Sequence, residues 1–229
     1  MSGIYVPTTS LEDWQALLAD PVKHWRAGFS AMATARAWEA AKGLPPEVAE
    51  ILGPGAELLL AIPEHKVPLP GGERPSQCDV FALARQGGAV VAVAVEAKVD
   101  EPFDRTLGGW MGAGSPGKRA RLAAICEILG CGTPPDDLRY QLFHRTAAAV
   151  IEARRFGAGR AAMVVHSFSP GHRWFEDFAA FCAFLGLGAP ERGRGYVLPL
   201  PEGRTLTLGW ATGAPGFLEP APLRQLPTA

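Results

Sequence analysis

The sequence predicts an α/β protein, with a mixed central sheet flanked by helices, an N-terminal helical region and a C-terminal hairpin. Three observations lead there. Val90-Val91-Ala92-Val93-Ala94-Val95 is the most hydrophobic run of the chain, with the composition of a strand buried on both faces. Gly87-Gly88 separates it from a second strand-like run, as a two-residue hairpin turn does. Helix start and stop signals then alternate with further strand-like runs.

In chain order, residues 10–52 read as helical. Glu57 to Pro63 and His65 to Leu69 supply a strand interrupted by the polar Pro63-Glu64-His65-Lys66. Cys78 to Arg85 and Ala89 to Val99 are the hairpin strands. Ser115 as N-cap, Pro116 at N1 and Gly130 as stop frame one helix. Thr133 as cap, Pro134 at N1, Asp136 at N3 and Gly157 as stop frame a second. Ala161 to Phe168 is a strand, Trp174 to Leu187 an amphipathic helix, and Tyr196 to Trp210 a hairpin turning at Pro201-Glu202-Gly203-Arg204. The expected organisation is one domain over 1–213, comprising the helical region 10–52, a core 53–170 and a C-terminal helix and hairpin 171–213. A proline-rich tail covers 214–229.

The glycine turn fixes a register. If Gln86 pairs with Ala89, Asp79 lies directly opposite Glu96, with Lys98 on the same face. Two carboxylates ~5 Å apart repel by about 3 kcal/mol at an effective dielectric near 20. A divalent cation would offset that, and oxygen ligands suit Mg²⁺, for which Mn²⁺ can substitute. The alternative is an i,i+2 ion pair between Glu96 and Lys98 at a strand end, with Asp79 solvated. Charges ending a buried strand lie where open α/β sheets build sites.

An Asp, a hairpin and then Glu96-Ala97-Lys98 resembles the signature of the PD-(D/E)XK nuclease superfamily, the restriction-endonuclease-like fold. The resemblance covers about residues 50 to 170, with Cys78 where the motif's name has proline. It implies a core of helix, three antiparallel strands, helix and a further strand, and Mg²⁺-dependent cleavage of nucleic acid, with DNA the expected partner. It assigns Asp79 and Glu96 to the metal and makes Lys98 the catalytic lysine. In the exonuclease-like branch a Gln on the following helix, with a tyrosine or basic residue at i+4, contacts the site or the nucleic acid. Tyr140-Gln141-Leu142-Phe143-His144-Arg145 is similar, which assigns Gln141 to the site and His144 and Arg145 to nucleic acid. A solvated helical face accounts for the same residues. Members of the fold add a further Glu to the metal shell; Glu39, Glu50, Glu57 and Glu64 are the sources here, with Glu64 preferred, and Asp100, Glu101 or Asp104 could add an outer ligand.

Gly112-Ala113-Gly114-Ser115-Pro116-Gly117-Lys118 matches a P-loop up to its lysine, but Arg119 stands in place of the Mg²⁺-binding Ser or Thr, and no buried strand precedes it. The same helix start could receive a substrate phosphate beside Lys118 and Arg119. The net charge of −1 excludes a protein that coats nucleic acid indiscriminately. Its distribution is uneven: residues 118–173 carry nine Lys or Arg against four Asp or Glu, and residues 1–117 nine against fourteen. No run of ~18 apolar residues spans a membrane and no leader is recognisable, so a cytoplasmic location is expected. Four scattered cysteines read as reduced thiols. The expectation is a metal-dependent nuclease, with homodimerisation allowed; the alternative is a noncatalytic binding module on the same fold.

Overall fold

The computed structural model describes Thr8, residues 10–18 and residues 20–219. Part of the expected proline-rich tail, residues 220–229, lies outside the described residues. The N-terminal region supplies three helices, α1 (Leu11–Leu17), α2 (Ser30–Ala41) and α3 (Pro46–Leu52). Three strands follow, β1 (Glu57–Val67), β2 (Ser76–Gln86) and β3 (Ala89–Lys98). Helices α4 (Leu107–Met111), α5 (Pro116–Leu129) and α6 (Tyr140–Arg155) lead to β4 (Arg160–Ser167). Helix α7 (Phe175–Phe184), β5 (Gly195–Pro199), β6 (Thr205–Thr212) and a 3₁₀ turn at Pro215–Leu218 complete the fold.

The strands form one mixed sheet in the order β1-β2-β3-β4-β6-β5. Strands β1, β2 and β3 are antiparallel neighbours, β3-β4 and β4-β6 are parallel, and β5 is an antiparallel edge. Both faces are covered. On one, Trp14, Trp38, Val48 and Ile51 of α1–α3 pack on Val80, Val93, Val95 and Val164. On the other, Ile125, Leu142, Phe143 and Phe178 of α5–α7 pack on Ala92, Ala94, Met163 and Leu208. Strand β3, central and buried from Val91 onward, is the double-sided strand its composition implies.

The glycine turn sets the hairpin as expected. Gly87 and Gly88 take φ of 57° and 80°, the left-handed pair a type I′ turn requires, and Gln86 pairs with Ala89. That register holds to Val80 opposite Val95. The other elements differ mainly in where they start. Helix α5 has Ser115, Pro116 and a left-handed Gly130 in the expected places. Helix α6, by contrast, begins at Tyr140 rather than after Thr133. The carbonyls of Asp136 and Leu138 accept from Gly108 (2.9 Å) and Leu107 (2.7 Å), and the Tyr140 N–H donates to Arg105. Pairing with Arg105 and the first residues of α4 satisfies peptide groups that would otherwise form the first helical turn. The amphipathic helix is also shorter than expected: α7 starts at Phe175, because Trp174 takes φ of 70°.

Helix α3 meets the sheet where the strands offer no side chain. A Cβ at Gly195 would lie 2.2 Å from the Ile51 carbonyl oxygen. Gly195→Ala is therefore expected to displace the end of α3 and destabilise the protein by about 1–3 kcal/mol, read as a lower urea midpoint with unchanged slope.

Candidate active site at the end of the buried strand

The polar residues ending β3 face α6. Glu96 and Lys98 are 2% and 4% exposed, so their charges need partners. Lys98 Nζ donates to Glu96 Oε1 at 2.5 Å, and Gln141 Nε2 donates to the same oxygen at 2.7 Å. Arg145 Nε donates to Glu96 Oε2. Gln141 and Arg145, one turn apart on α6, thus reach one carboxylate. Burial opposes ionisation of Glu96, but the Arg145 and Lys98 charges overcome it and hold its pKa down to about 2. The Lys98 ammonium also lies 5.1 Å from the centre of the Phe103 ring.

Arg145 extends this network. Its Nη1 donates to Ser76 Oγ at 2.9 Å, and Ser76 Oγ is 2.8 Å from His144 Nδ1. Because arginine only donates, the Ser76 hydroxyl accepts from Arg145 while it is hydrogen-bonded to the imidazole. Burial and the Arg145 charge push His144 well below its usual pKa, so the ring is neutral. Arg145, 7% exposed, is therefore an internal partner of Glu96, and His144 hangs on it through Ser76.

Asp79 and Glu64 occupy the neighbouring space. Past Val80 the two hairpin strands stop pairing, and Asp79 Oδ2 accepts from the Ala97 N–H at 2.6 Å. The alternation of faces breaks there: Cys78 and Phe81, three residues apart, lie in the same core layer, with Val80 in the other. Across β1, the polar interruption is a single residue with a left-handed backbone, Glu64 at φ 54°, which is unusual for a non-glycine and typical of functional positions. The Glu64 carboxylate accepts from Gln77 Nε2 at 2.5 Å. Asp79 and Glu64 line a cleft of about 480 Å³ together with Gln77, Glu101, Arg145 and residues 29–31 at the start of α2. Burial, then the charges of Glu96 and Glu64, push Asp79 well above the usual carboxylate range. Burial likewise brings Glu64 up to about 7.

The structure thus brings Glu96, Lys98, Gln141 and Arg145 into one bonded cluster and sets Asp79 and Glu64 beside it. Of the other glutamates considered, Glu39 accepts from Trp14 Nε1 at 2.6 Å and Glu57 pairs with Arg85 at 2.9 Å, while Glu50 is exposed. Glu101 is in the cleft, with its carboxylate also accepting from the Val99 N–H at 3.2 Å. Lys118 and Arg119 stand apart from the cluster. Lys118 Nζ donates to the Trp110 and Met111 carbonyls at 2.6 and 3.3 Å, and Arg119 donates to Gly114, so both close the end of α4 and the loop after it. His166 is buried against Glu47 at 2.8 Å. Cys78 is buried, which pushes its thiol up to about 12 and leaves it unreactive. Sequence reasoning does not single out Ser76 and Gln77, whereas Glu101 is one of the three acidic residues from which an outer ligand is expected and lies in the cleft. The signal available was the polar pair Ser76-Gln77 at the start of a strand that is otherwise apolar, close before Asp79.

Oxygen donors of the kind a hard divalent cation takes are present in Asp79, Glu64, Glu101 and Glu96. Among the described residues, no three His, Cys, Asp or Glu side chains stand ready-arranged to hold a metal ion. Among the described residues Glu96 accepts three side-chain hydrogen bonds, whereas Asp79, Glu64 and Glu101 accept one each, so the larger free capacity lies with these three. The donor set fits a cation in its chemistry, and Oε2 of Glu96, which accepts from Arg145, keeps a second lone pair.

These features define an α/β protein with a buried carboxylate, lysine and arginine cluster at the end of the central strand of a six-stranded sheet. Residues 7–215 match the family described as Domain of unknown function (DUF6946), and the chain belongs to that family. No curated protein and no solved structure matches it. Among the described residues no helix is long and apolar enough to cross a membrane.

Two outcomes follow from the electrostatics. Arg145→Met leaves a buried carboxylate with one cation fewer and is expected to cost about 3–5 kcal/mol, measured by urea unfolding at pH 7. Glu64 has a raised folded-state pKa, so its contribution to stability is complete below its unfolded value near 4.5 and disappears as pH rises through about 7. Unfolding midpoints recorded from pH 4 to 8 should therefore fall more for the natural chain than for Glu64→Gln.

Proposed function

We propose that this protein is a metal-dependent phosphodiesterase with a restriction-endonuclease-like core, acting on nucleic acid with DNA as the expected substrate. The observation that carries the reading is the placing of two carboxylates, Asp79 and Glu64, in one cleft, beside a buried lysine bonded to a third, Glu96. Protonation relieves such a pair at acid pH, and a divalent cation relieves it at neutral pH. The strand order also supports the reading, since an antiparallel β1-β2-β3 unit followed by helices and the parallel β4 agrees with the core that the resemblance implies.

In this reading Asp79 and Glu64 hold Mg²⁺, with Glu96 completing the shell, and Mn²⁺ substitutes. The metal would supply Lewis-acid stabilisation of charge on the phosphate. Lys98, beside Glu96 and screened from solvent, presents its ammonium to the same region, where it neutralises charge developing on the phosphate oxygens. Gln141 and Arg145 fix the rotamer of Glu96, and the Ala97 N–H fixes that of Asp79. The carboxylates are thereby positioned before substrate arrives.

A second reading, a noncatalytic nucleic-acid- or protein-binding module on this fold, has its own support. Both oxygens of Glu96 are held by Lys98, Gln141 and Arg145, so this carboxylate has two cations in contact and its charge is compensated without a metal.

Calorimetric titration of Mn²⁺ separates the two. Under the phosphodiesterase reading the natural chain binds Mn²⁺ and Asp79→Asn does not. Mn²⁺-dependent cleavage of DNA then falls by about 10²-fold or more in Lys98→Ala, with thermal melting showing the variant folded. A chain that binds nucleic acid with equal affinity in Mn²⁺ and in chelator, and whose binding survives Asp79→Asn, overturns the catalytic reading in favour of the module.

A further inference from the structure

A second cleft of about 480 Å³ opens beside the first, and Gln77 and Arg145 line both. Its remaining walls come from β1, the β1-β2 loop, α4 and the residues before it, α5 and α6, and they carry the cations Lys66, Arg74 and Arg121. Arg145 shares Glu96 with Lys98 and is left out of the count, and His144 is neutral, so these three face one carboxylate in the cleft, Asp104. The balance of three against one is +2.

The buried groups of this cleft are incompletely satisfied. Arg121, 8% exposed, donates through Nε to the Pro70 carbonyl at 3.1 Å, but its Nη2 has no hydrogen-bond partner among the described residues. The hydroxyl of Tyr140, 6% exposed, and Oε1 of Gln141 are in the same condition. The Arg121 charge acts on that hydroxyl, opposing the rise in pKa that burial imposes. Arg121 Nη2 and the Tyr140 hydroxyl are thus two buried donors without acceptors in one cleft, a costly condition that points to a ligand supplying acceptors; Gln141 Oε1 is itself an acceptor and takes no part in this. The position of Arg121 is tightly set. The β1-β2 loop lies against it so closely that a Cβ at Gly71, where φ is 78°, would sit 2.4 Å from the Arg121 backbone nitrogen. Tyr140 is fixed by its stack on Trp110, with ring centres 3.8 Å apart and planes 12° from parallel.

We propose that this cleft is a subsite for a phosphate monoester, the terminal phosphate of a nucleic-acid strand whose next linkage lies at the Asp79 and Lys98 site. The inference rests on the phosphodiesterase reading for the identity of the strand. A phosphate monoester carries a charge of about −1.5 to −2 at pH 7 and three acceptor oxygens. It matches the +2 balance of the cleft, whereas an internal phosphodiester, with one charge, would leave it half compensated. Arg121 Nη2 and the Tyr140 hydroxyl donate to the phosphate from the floor. Lys66 and Arg74, both exposed, supply charge from the rim, and Trp110 offers ring surface beside it.

The test compares two short single-stranded oligodeoxynucleotides of one sequence, ending in phosphate or in hydroxyl, by fluorescence anisotropy in EDTA. Each end is tested in turn. The proposal expects one phosphorylated form to bind at least tenfold more tightly to the natural chain. That preference should vanish in the doubly substituted Lys66→Ala, Arg74→Ala chain, both sites being exposed and compatible with folding, and in Arg121→Met where thermal melting shows it folded. Equal affinity for the two oligonucleotides, or a preference that survives the double substitution, overturns the subsite. A mononucleotide that competes at the same concentration as the oligonucleotide would assign the cleft to free nucleotide and overturn the strand-end assignment. Mn²⁺-dependent cleavage measured alongside keeps the two readings apart. Cleavage without a phosphate preference removes the subsite alone, and a phosphate preference without cleavage removes the phosphodiesterase alone.

Discussion

A carboxylate at the end of the buried central strand β3 is the constraint on which the rest of this structure depends. Glu96 stands where water is excluded by helices on both faces of β3, and an ionised group there is tolerated only with cations in contact. One cation comes from its own strand, Lys98, and the other from α6, Arg145. The second pairing fixes which face of α6 turns to the sheet and how far along the strand the helix sits. Gln141 is then brought to the same carboxylate and Tyr140 is directed away from it towards Trp110. The apolar face of α6, including Leu142, Phe143 and Val150, agrees with this orientation, so packing and charge compensation select the same rotation of the helix.

The compensation is complete for Glu96 and incomplete for its neighbours. Asp79 and Glu64 have neutral hydrogen-bond donors, the Ala97 amide and the Gln77 side-chain amide, and no direct cation partner among the described residues. Low polarisability around them makes their charged forms costly. The backbone is unusual at the same place. Glu64 adopts a left-handed conformation, and the sheet loses its alternation between Cys78 and Phe81. A left-handed residue and two carboxylates without a cation partner among the described residues thus coincide at one point of an otherwise regular sheet. The two clefts meeting at Gln77 and Arg145 divide the chemistry, with carboxylates in one and cations with aromatic rings in the other.

Much of the sheet was legible in the sequence because its determinants are local. Two consecutive glycines admit a type I′ turn, and that turn fixes the pairing from Gln86 with Ala89 out to Val80 with Val95. Ser115, Pro116 and Gly130 likewise contain all that is needed to bound α5. The site was legible as a set of residue types in order. The register did not carry through to Asp79 and Glu96 as an opposed pair, because the strands separate one residue short of them and a backbone amide replaces the cross-strand partner. The start of α6 was misread since Thr133 and Pro134 are sound local signals that lose to hydrogen bonds with residues 105–108, distant in sequence. Lys118 and Arg119, which from sequence could hold a phosphate, instead satisfy carbonyls at the end of α4. An unfilled acceptor a few residues away is not visible in the residue types themselves.

What the sequence determined by itself was the fold class, the hairpin register and the residue types available at the end of the central strand, since apolar runs, glycine turns and helix caps act over a few residues. Only the tertiary structure decided which of the charged residues meet. Arg145 reaches Glu96 across 49 positions of chain, and Arg121 is brought beside Tyr140 by a loop that closes against α5. Those pairings depend on where helices come to rest on the sheet, a property of the whole core that no local pattern contains.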